Sequence, residues 1–320
     1  MPSATRPRRA GSGLLPTSHT PADAEFISER RILMIHNGFF ATTGELSGEG
    51  RPSEDRIAQT PGAVIVLDGV STVTDDEPRG GWYAETLSNC VASLLAAGPD
   101  ADLRQVLEQA ISRIVQEHGL VAGTSPAATI AIVRLYGDTV DALVLADTPV
   151  IARTVTRSLD EVRDDRLARL IAGRPEYAEC RRRLRAGHGF TELEHRALLQ
   201  ELRAHQLRHL NNGAPNGYWV AEAVPEAARH AVVRSWPVAG ITDILVMTDG
   251  ASAGVEEYGL YPTWNDLAHA CRTDGPDKVV RFIHDAETED SDGRHWPRYK
   301  IHDDKTLAYL RFAPATGWSA

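Results

Sequence analysis

Acidic residues stand at the ends of several apolar runs in this sequence, where they could bind metal ions. The runs "AVIVLDGV" (63–70) and "ILVMTDGA" (244–251) each end in Asp-Gly, at Asp68 and Asp249. A short β-branched run predicts a strand buried on both faces, and Asp-Gly is a common way to leave a strand. Two such strands would place two carboxylates at neighbouring strand ends.

Further acids occupy comparable positions. Glu54 and Asp55 lie in the glycine-rich loop before the first of these strands, Asp147 ends another apolar run, and Asp303 and Asp304 begin the last one. If these ends converge, the carboxylates repel one another unless cations lie between them. Clustered carboxylates without thiolates or paired histidines select hard cations such as Mg²⁺ or Mn²⁺. Two such ions about 3.5–4 Å apart, bridging a hydroxide and holding a phosphate, would hydrolyse phosphate esters.

Each acid also has an ordinary explanation. Taken singly, Asp68 and Asp249 are more simply turn aspartates at strand ends. Together with Asp303 they favour a metal site, because three independent strand ends then carry an acid. Arg298 and Lys300, which precede Asp303, could meet a phosphate, but we expect them on a solvated strand edge.

The composition is that of a globular protein and excludes several classes. The 320 residues are 42% apolar and 24% charged, with a formal net charge of -10, which argues against a nucleic-acid partner. The three cysteines are widely spaced and form no C-x-x-C pair, so neither a disulfide framework nor a zinc site is predicted. No run approaches the roughly 20 apolar residues that a membrane span needs. We therefore expect a cytoplasmic protein without a membrane partner.

The order of elements predicts an α+β fold. Residues 80–98 and 100–119 read as two helices, and "AATIAIVRLYG" and "DTVDALVLADTPVIAR" read as a hairpin. Strands that pair as hairpins, with helices grouped between them, favour a sandwich over a doubly wound parallel sheet. We predict a disordered tail (1–22), one domain (23–314) with a helical insertion at about 154–212, and a C-terminal tail (315–320).

Six segments in this order resemble a known family. They are "SEDR" (53–56), "VLDGV" (66–70), "SPAATIAIV" (125–133), "LADTPVIAR" (145–153), "VMTDGA" (246–251) and "HDDKTLAYL" (302–310). Together they resemble the bacterial type of the metal-dependent serine/threonine protein phosphatases, the protein phosphatase 2C family. The resemblance implies an α-β-β-α sandwich of two antiparallel sheets flanked by helices. It also implies two Mn²⁺ or Mg²⁺ ions and direct attack on phosphorus by a metal-bridging hydroxide.

The resemblance implies roles for the acids at the strand ends. Asp68 resembles the carboxylate that bridges both ions, with the Gly69 carbonyl as a further ligand. Asp249 and Asp303 resemble the partners on one ion.

The resemblance also implies roles for the loops. Glu54 and Asp55 resemble the acidic pair that holds the waters of the other ion. Asp147 lies where many bacterial members bind a weaker third metal, and Arg51 lies near the place of a phosphate-binding arginine. The insertion at 154–212 falls where the family carries its flap. The expected catalytic residues are Asp68, Asp249, Asp55 and Arg51.

The chain departs from the family pattern at two places. Val70 and Ser71 follow Asp68-Gly69, so the histidine that some members use as a general acid is missing. Thr148 and Pro149 follow Asp147, where the family usually has Ser-Arg. Protonation of the leaving group must then come from metal-bound water or another residue.

The function expected from this resemblance is hydrolysis of phosphoserine and phosphothreonine in proteins, opposing a serine/threonine kinase. Two alternatives stay open. A pseudo-phosphatase would keep the fold and bind partners through the insertion, and a phosphatase of a small phosphate ester would use the same metal centre.

Overall fold

Two antiparallel sheets form the centre of the molecule. The computed structural model describes residues 33–35, 39–48, 51–70 and 80–312. The first sheet has six strands, in spatial order β1 (Leu33–Ile35), β2 (Phe39–Leu46), β11 (Lys305–Phe312), β10 (Ile241–Met247), β7 (Val150–Thr154) and β8 (Leu159–Val162). The second has five, in the order β3 (Arg56–Thr60), β4 (Ala63–Val70), β5 (Ala127–Tyr136), β6 (Thr139–Leu145) and β9 (Val232–Pro237).

Helices cover both outer faces. The α-helices are α1 (Gly80–Ala97), α2 (Leu103–His118), α3 (Arg166–Ala172), α4 (Pro175–Arg185), α5 (Leu193–Leu207), α6 (Asp249–Glu256), α7 (Trp264–Thr273) and α8 (Pro276–Glu289). Short 3-10 helices span Pro225–His230 and Val238–Gly240. The predicted α+β sandwich is confirmed. None of the helices in the described ranges has the length and apolar character required to cross a bilayer.

The core is built in three layers because the central strands are apolar on both faces. Between the sheets lie Val64 and Val66 of β4 and Ile244 and Val246 of β10. The opposite face of β4, beginning at Ile65, packs under α1 and α2. The opposite face of β10 packs under α7 and α8. Burial on both faces explains why these strands are continuous apolar runs rather than alternating ones.

The predicted hairpin at Tyr136 forms, but its second strand is shorter than expected. β5 pairs with β6 through the predicted turn. The prediction of one strand through Arg153 is wrong, because the chain breaks after Leu145 and β7 joins the other sheet beside β10. Pro149 lies in this break, where the absence of an amide proton makes continued pairing unfavourable. Asp147 lies in this connection between the two sheets.

The predicted insertion contains the three helices α3, α4 and α5. Its first part is not helical, since Leu159–Val162 pair with β7 as an edge strand. The insertion contacts the rest of the domain at several points, among them the Arg163–Glu256 ion pair at 2.5 Å and the rings of Tyr177 and Tyr299, whose centroids are 6.1 Å apart. The predicted tails, 1–22 and 315–320, lie outside the described residues. The boundaries 23–314 and 154–212 stay predictions.

Candidate metal centre

Three of the predicted metal ligands lie at the same end of the sandwich. Asp68 is near the end of β4, Asp249 begins α6 two residues after β10, and Asp303 lies two residues before β11. β10 and β11 are antiparallel neighbours with Met247 opposite Leu307, so the end of one meets the start of the other. The packing of the two sheets brings Asp68 towards them.

Two glycines allow these segments to approach closely. A methyl group at Gly69 would lie 2.6 Å from the carbonyl carbon of Gly80 and 2.7 Å from the carbonyl oxygen of Glu54. A methyl group at Gly250 would overlap the carbonyl oxygen of Asp304. Each Asp-Gly pair therefore combines a carboxylate with a residue that lets a neighbouring backbone come near.

The loop with Glu54 and Asp55 is tied to the same end by Asp304. The Asp304 carboxylate accepts hydrogen bonds from the amides of Glu54, at 2.7 Å, and Gly48, at 2.8 Å. Asp55 Oδ2 accepts a hydrogen bond from the Thr248 hydroxyl at 2.8 Å. The Asp304 carboxylate therefore holds the Glu54 loop, while the Asp304 amide donates to Asp303 Oδ1 at 3.0 Å.

The carboxylates of Asp55, Asp68, Asp249 and Asp303, which we call the acid cleft, repel one another. Burial, and then the charges of Asp304 and Asp303, raise the pKa of Asp55 to about 7 against the hydrogen bond from Thr248. Burial, and then repulsion by Asp249, Asp55 and Asp303, raise the pKa of Asp68 well above its ordinary value.

Asp249 shares this repulsion although it lies on the open side of the cleft. The residue is exposed to solvent, yet surrounding protein atoms, and then Asp303 and Asp147, raise its pKa. Because water reaches the Asp249 carboxylate, its desolvation is incomplete. We therefore attribute the raised pKa of Asp249 to repulsion by the neighbouring carboxylates more than to burial. The charged forms in the cleft are therefore destabilised unless a cation compensates them.

The donor set fits hard divalent cations. Oδ1 of Asp55 is buried and has no hydrogen-bond partner among the described residues. The Thr306 hydroxyl favours the charged form of Asp55 but does not reach hydrogen-bond geometry. An orphaned buried carboxylate oxygen beside three further carboxylates is the arrangement that Mg²⁺ or Mn²⁺ would complete.

Asp147 lies beside the acid cleft in a second acidic group. Burial, and then the charges of Asp164, Asp303 and Glu256, raise the pKa of Asp147 to about 6. The residue before it, Ala146, has φ 67°, a left-handed conformation that is unfavourable for a residue with a Cβ. The amide of Ala146 donates to Asp164 Oδ2 at 2.9 Å, which helps to hold this conformation.

Arg51 lies at the rim near the Glu54 loop. One of its terminal guanidinium nitrogens is 3.8 Å from Glu54 Oε2, and its side chain is 42% exposed. This contact directs the guanidinium towards one acid of the predicted site. Its role in phosphate binding stays a prediction.

Comparison with known proteins agrees with this geometry. The family model described as "Protein phosphatase 2C" matches residues 46–284, about three quarters of the chain. The chain belongs to the protein phosphatase 2C family. It is a metal-dependent phosphatase, a hydrolase, because metal dependence and phosphatase activity are properties of the family.

Solved structures share the fold at low sequence identity. The serine/threonine phosphatase MsPP from Mycobacterium smegmatis, solved with cacodylate, is 19% identical with a TM-score of 0.50, covering 85% of this chain and 98% of that chain. A bacterial serine phosphatase is 12% identical with a TM-score of 0.50, covering 88% of this chain and 99% of that chain. A search of curated proteins finds no match. The similarity to these structures extends over the sandwich as a whole.

Two basic residues of the phosphatase differ from the expectation of a solvated strand edge. Arg298 is buried, with its side chain 6% exposed, and donates to Asp290 Oδ2 and to the carbonyl oxygens of Glu287 and Trp296. The ammonium nitrogen of Lys300 lies 2.6 Å from Asp303 Oδ1. Sequence reasoning missed this contact, and the available signal was a lysine three residues before a predicted ligand.

A second cluster of ionisable residues, centred on Glu287, contacts the backbone of Asp303. Glu287 Oε2 accepts from Lys305 Nζ at 2.6 Å and lies 3.2 Å from His302 Nδ1, while Tyr258 donates to Oε1 at 3.0 Å. Lys305 Nζ also donates to the carbonyl oxygen of Asp303 at 2.8 Å. We call Tyr258, Glu287, His302 and Lys305 the Glu287 network.

Ligand atoms of His284, Glu287 and His302 lie within 4.8 Å of one another, a spacing that a metal could use. The ammonium of Lys305 already supplies the cation to Glu287. We therefore assign the Glu287 network a structural role, in which Lys305 links Glu287 to the backbone of Asp303.

Proposed function

We propose that this chain hydrolyses phosphoserine and phosphothreonine in proteins with two Mn²⁺ or Mg²⁺ ions held by the acid cleft. The observation that carries the proposal is the convergence of Asp55, Asp68, Asp249 and Asp303, with one buried oxygen of Asp55 unpartnered. Family membership supports the reaction class. The two solved structures with this fold, a serine/threonine phosphatase and a serine phosphatase, agree with the proposed substrate class.

The positions of the residues in the acid cleft suggest which ion each of them would bind. When bound, two divalent ions supply Lewis-acid activation of water and of the phosphoryl group. Asp68, between the Asp249–Asp303 side and the Asp55 side, is suited to contact both ions, with the Gly69 carbonyl beside it. Asp249 and Asp303 would hold one ion.

The second ion would lie on the loop side of the cleft. Glu54 and Asp55 would hold it, partly through water, because Asp304 fixes their loop by two backbone hydrogen bonds. Asp147 would hold a third ion more weakly, since it is grouped with Asp164 and Glu256 rather than with Asp68. A residue nucleophile is not required by this arrangement.

The biological setting follows from the substrate. A phosphoprotein substrate requires a serine/threonine kinase to supply it, and we propose that the phosphatase opposes such a kinase. The cysteines Cys90, Cys180 and Cys271 are unpaired, which is consistent with the reducing cytoplasm that we propose as its location.

The test is hydrolysis of p-nitrophenyl phosphate and a phosphothreonine peptide with Mn²⁺, Mg²⁺ or EDTA. We expect turnover that needs a metal, and a loss of about a thousandfold in Asp249→Asn, because a lost ligand removes several kcal/mol of transition-state stabilisation. Asp100→Asn is the matched control, since Asp100 is exposed in the loop after α1, away from the cleft.

Thermal unfolding supplies a readout that does not depend on turnover. Mn²⁺ at about 100 times its Kd should stabilise the wild type by about 2.7 kcal/mol, and Asp249→Asn should lose most of that gain. Metal binding without turnover of either substrate would overturn the enzyme proposal in favour of a binding module. Turnover of p-nitrophenyl phosphate with none of any phosphopeptide would favour a small phosphate ester.

A further inference from the structure

Lys300 lies at the mouth of the acid cleft in a loop whose neighbouring residues are anchored. On one side of it, Arg298 is buried and bonded to Asp290 at 2.9 Å and to the carbonyl oxygen of Ile301 at 2.9 Å. The neighbouring ring of Tyr299 lies against Tyr177 of the flap helix α4, with centroids 6.1 Å apart. The residues just before Lys300 are thus tied to the domain and to the insertion.

The ammonium of Lys300 is directed at the cleft and stays open to solvent. Its nitrogen lies 2.6 Å from Asp303 Oδ1, and its charge also acts on Asp68 and Asp249. The side chain is 47% exposed, so a dissolved anion can reach it. An ammonium on a flexible four-carbon stem can turn from Asp303 to a neighbouring ligand without backbone movement.

A phosphate brings its own negative charge to a cleft that is lined by carboxylates. Two divalent ions would match the four carboxylates of the acid cleft, and a phosphate dianion would then add two further negative charges. One ammonium beside the ions reduces that excess. Lys300 contacts a carboxylate of the acid cleft itself, whereas the ion pair of Arg51 is with Glu54 at the rim.

The chemistry of the group suits anion binding. A lysine ammonium is protonated at neutral pH and is a poor proton donor to a leaving group. The chain contains three lysines among 34 basic residues, and two of them, Lys300 and Lys305, lie on either side of Asp303. A lysine binds phosphate as a compact point charge.

We infer that Lys300 is the phosphate-binding cation of this phosphatase, contacting the phosphoryl oxygens of the substrate and of the product phosphate. The inference rests on the proposed function, because it takes the acid cleft to be the metal-loaded site. It assigns to the loop before β11 a task that the family resemblance placed near Arg51.

The test compares Lys300→Gln, Lys300→Arg and Lys278→Gln with the wild type. Lys278 is exposed on α8, so its variant makes the same chemical change away from the cleft. Mn²⁺ binding is titrated directly for each variant, and all later measurements are made at saturating Mn²⁺. The readouts are the inhibition constant of inorganic phosphate and the KM for p-nitrophenyl phosphate.

In Lys300→Gln, both constants should rise about tenfold or more, the size expected for losing a charge-assisted hydrogen bond. Lys300→Arg should stay within about threefold of the wild type because it keeps the charge. Lys278→Gln should match the wild type. Unchanged phosphate inhibition and an unchanged KM in Lys300→Gln at saturating Mn²⁺ would overturn the inference and leave Lys300 as a competitor of the metal for Asp303.

Calorimetric binding of inorganic phosphate to the Mn²⁺-loaded proteins separates this inference from the proposed function. If the wild type binds phosphate but does not turn over any substrate, the proposed function fails while the role of Lys300 is still decided by the variant. If the wild type turns over and Lys300→Gln binds phosphate equally well, only the role of Lys300 fails.

Discussion

The acid cleft and the Glu287 network lie on either side of the segment from Asp303 to Lys305. They differ in whether their carboxylates are paired with a buried cation. In the network one carboxylate, Glu287, is 1% exposed and is matched by the ammonium of Lys305 and the hydroxyl of Tyr258. In the cleft several carboxylates face one another, and the nearby cation, Lys300, is half exposed. A buried carboxylate that is paired with its own cation has a structural role. A group of carboxylates with too few cations nearby can instead bind metal ions from solution.

The comparison is tested most severely by removing each lysine in turn. Lys305→Met leaves Glu287 buried without its cation and should cost about 3–5 kcal/mol of unfolding free energy. Lys300→Met removes an exposed pair and should change the unfolding free energy by less than about 1 kcal/mol. Urea unfolding in EDTA measures both values.

A paired replacement serves as the control for the network. Glu287→Met combined with Lys305→Met should recover much of the loss, because two apolar residues replace a buried ion pair at little cost. Equal losses for Lys305→Met and Lys300→Met would contradict the distinction between the two regions.

A pH titration of stability tests the charge deficit of the cleft. The pKa of Asp55 is about 7 in the folded protein, mainly because of burial, and about 3.9 in an unfolded chain. Between these values the folded protein keeps a proton that the unfolded chain has released, so stability falls as the pH rises. In EDTA the unfolding temperature should therefore decrease from about pH 5 to about pH 7.5, the upper part of this window.

Asp55→Asn should show a shallower decrease, since the amide does not ionise and can still accept from Thr248. Asp100→Asn should keep the slope of the wild type. If the unfolding temperatures of the wild type and Asp55→Asn fall equally steeply with pH, Asp55 does not lie in a site that lacks positive charge.

Backbone strain gives the smallest expected difference. Ala146, next to Asp147 at the edge of the cleft, has φ 67°, while no residue of the Glu287 network has a positive φ. Ala146→Gly should stabilise the protein by about 1 kcal/mol by relieving the left-handed conformation. The matched change Ala142→Gly, in the extended strand β6, should destabilise it by about 1 kcal/mol. Thermal unfolding of both variants checks the signs, and destabilisation by both would argue against strain at Ala146.

Local patterns predicted much of the fold. The double-sided apolar runs of β4 and β10 and the amphipathic pattern of α2 predict buried strands and a helix on a core. The observed α2 lies within the predicted range 100–119, and Asp102 at its start accepts from the amide of Gln105 while Gly119 at its end adopts φ 64°. The break after Leu145 was not predicted, because apolar residues on both sides of it are equally compatible with one long strand.

Spacing along the chain also selected the acids that the fold brings together. It did not separate Lys300 from Arg298, two residues apart in the same loop. Lys300 contacts Asp303, whereas Arg298 is buried against Asp290, and this difference depends on where α8 and the insertion hold the loop. Residues so close in sequence share their composition and their predicted exposure.

The sequence by itself determined the identities of the acids, the strands that carry them and the glycines that follow two of them. These features are local, because they depend on side-chain periodicity and backbone freedom within a few residues. The tertiary structure alone decided which charges meet. Asp304 reaches the amide of Glu54 across 250 positions of sequence, and Lys305 is fully buried against Glu287. Electrostatic interactions depend on distance and burial, and both are set only when the two sheets and their helices have packed.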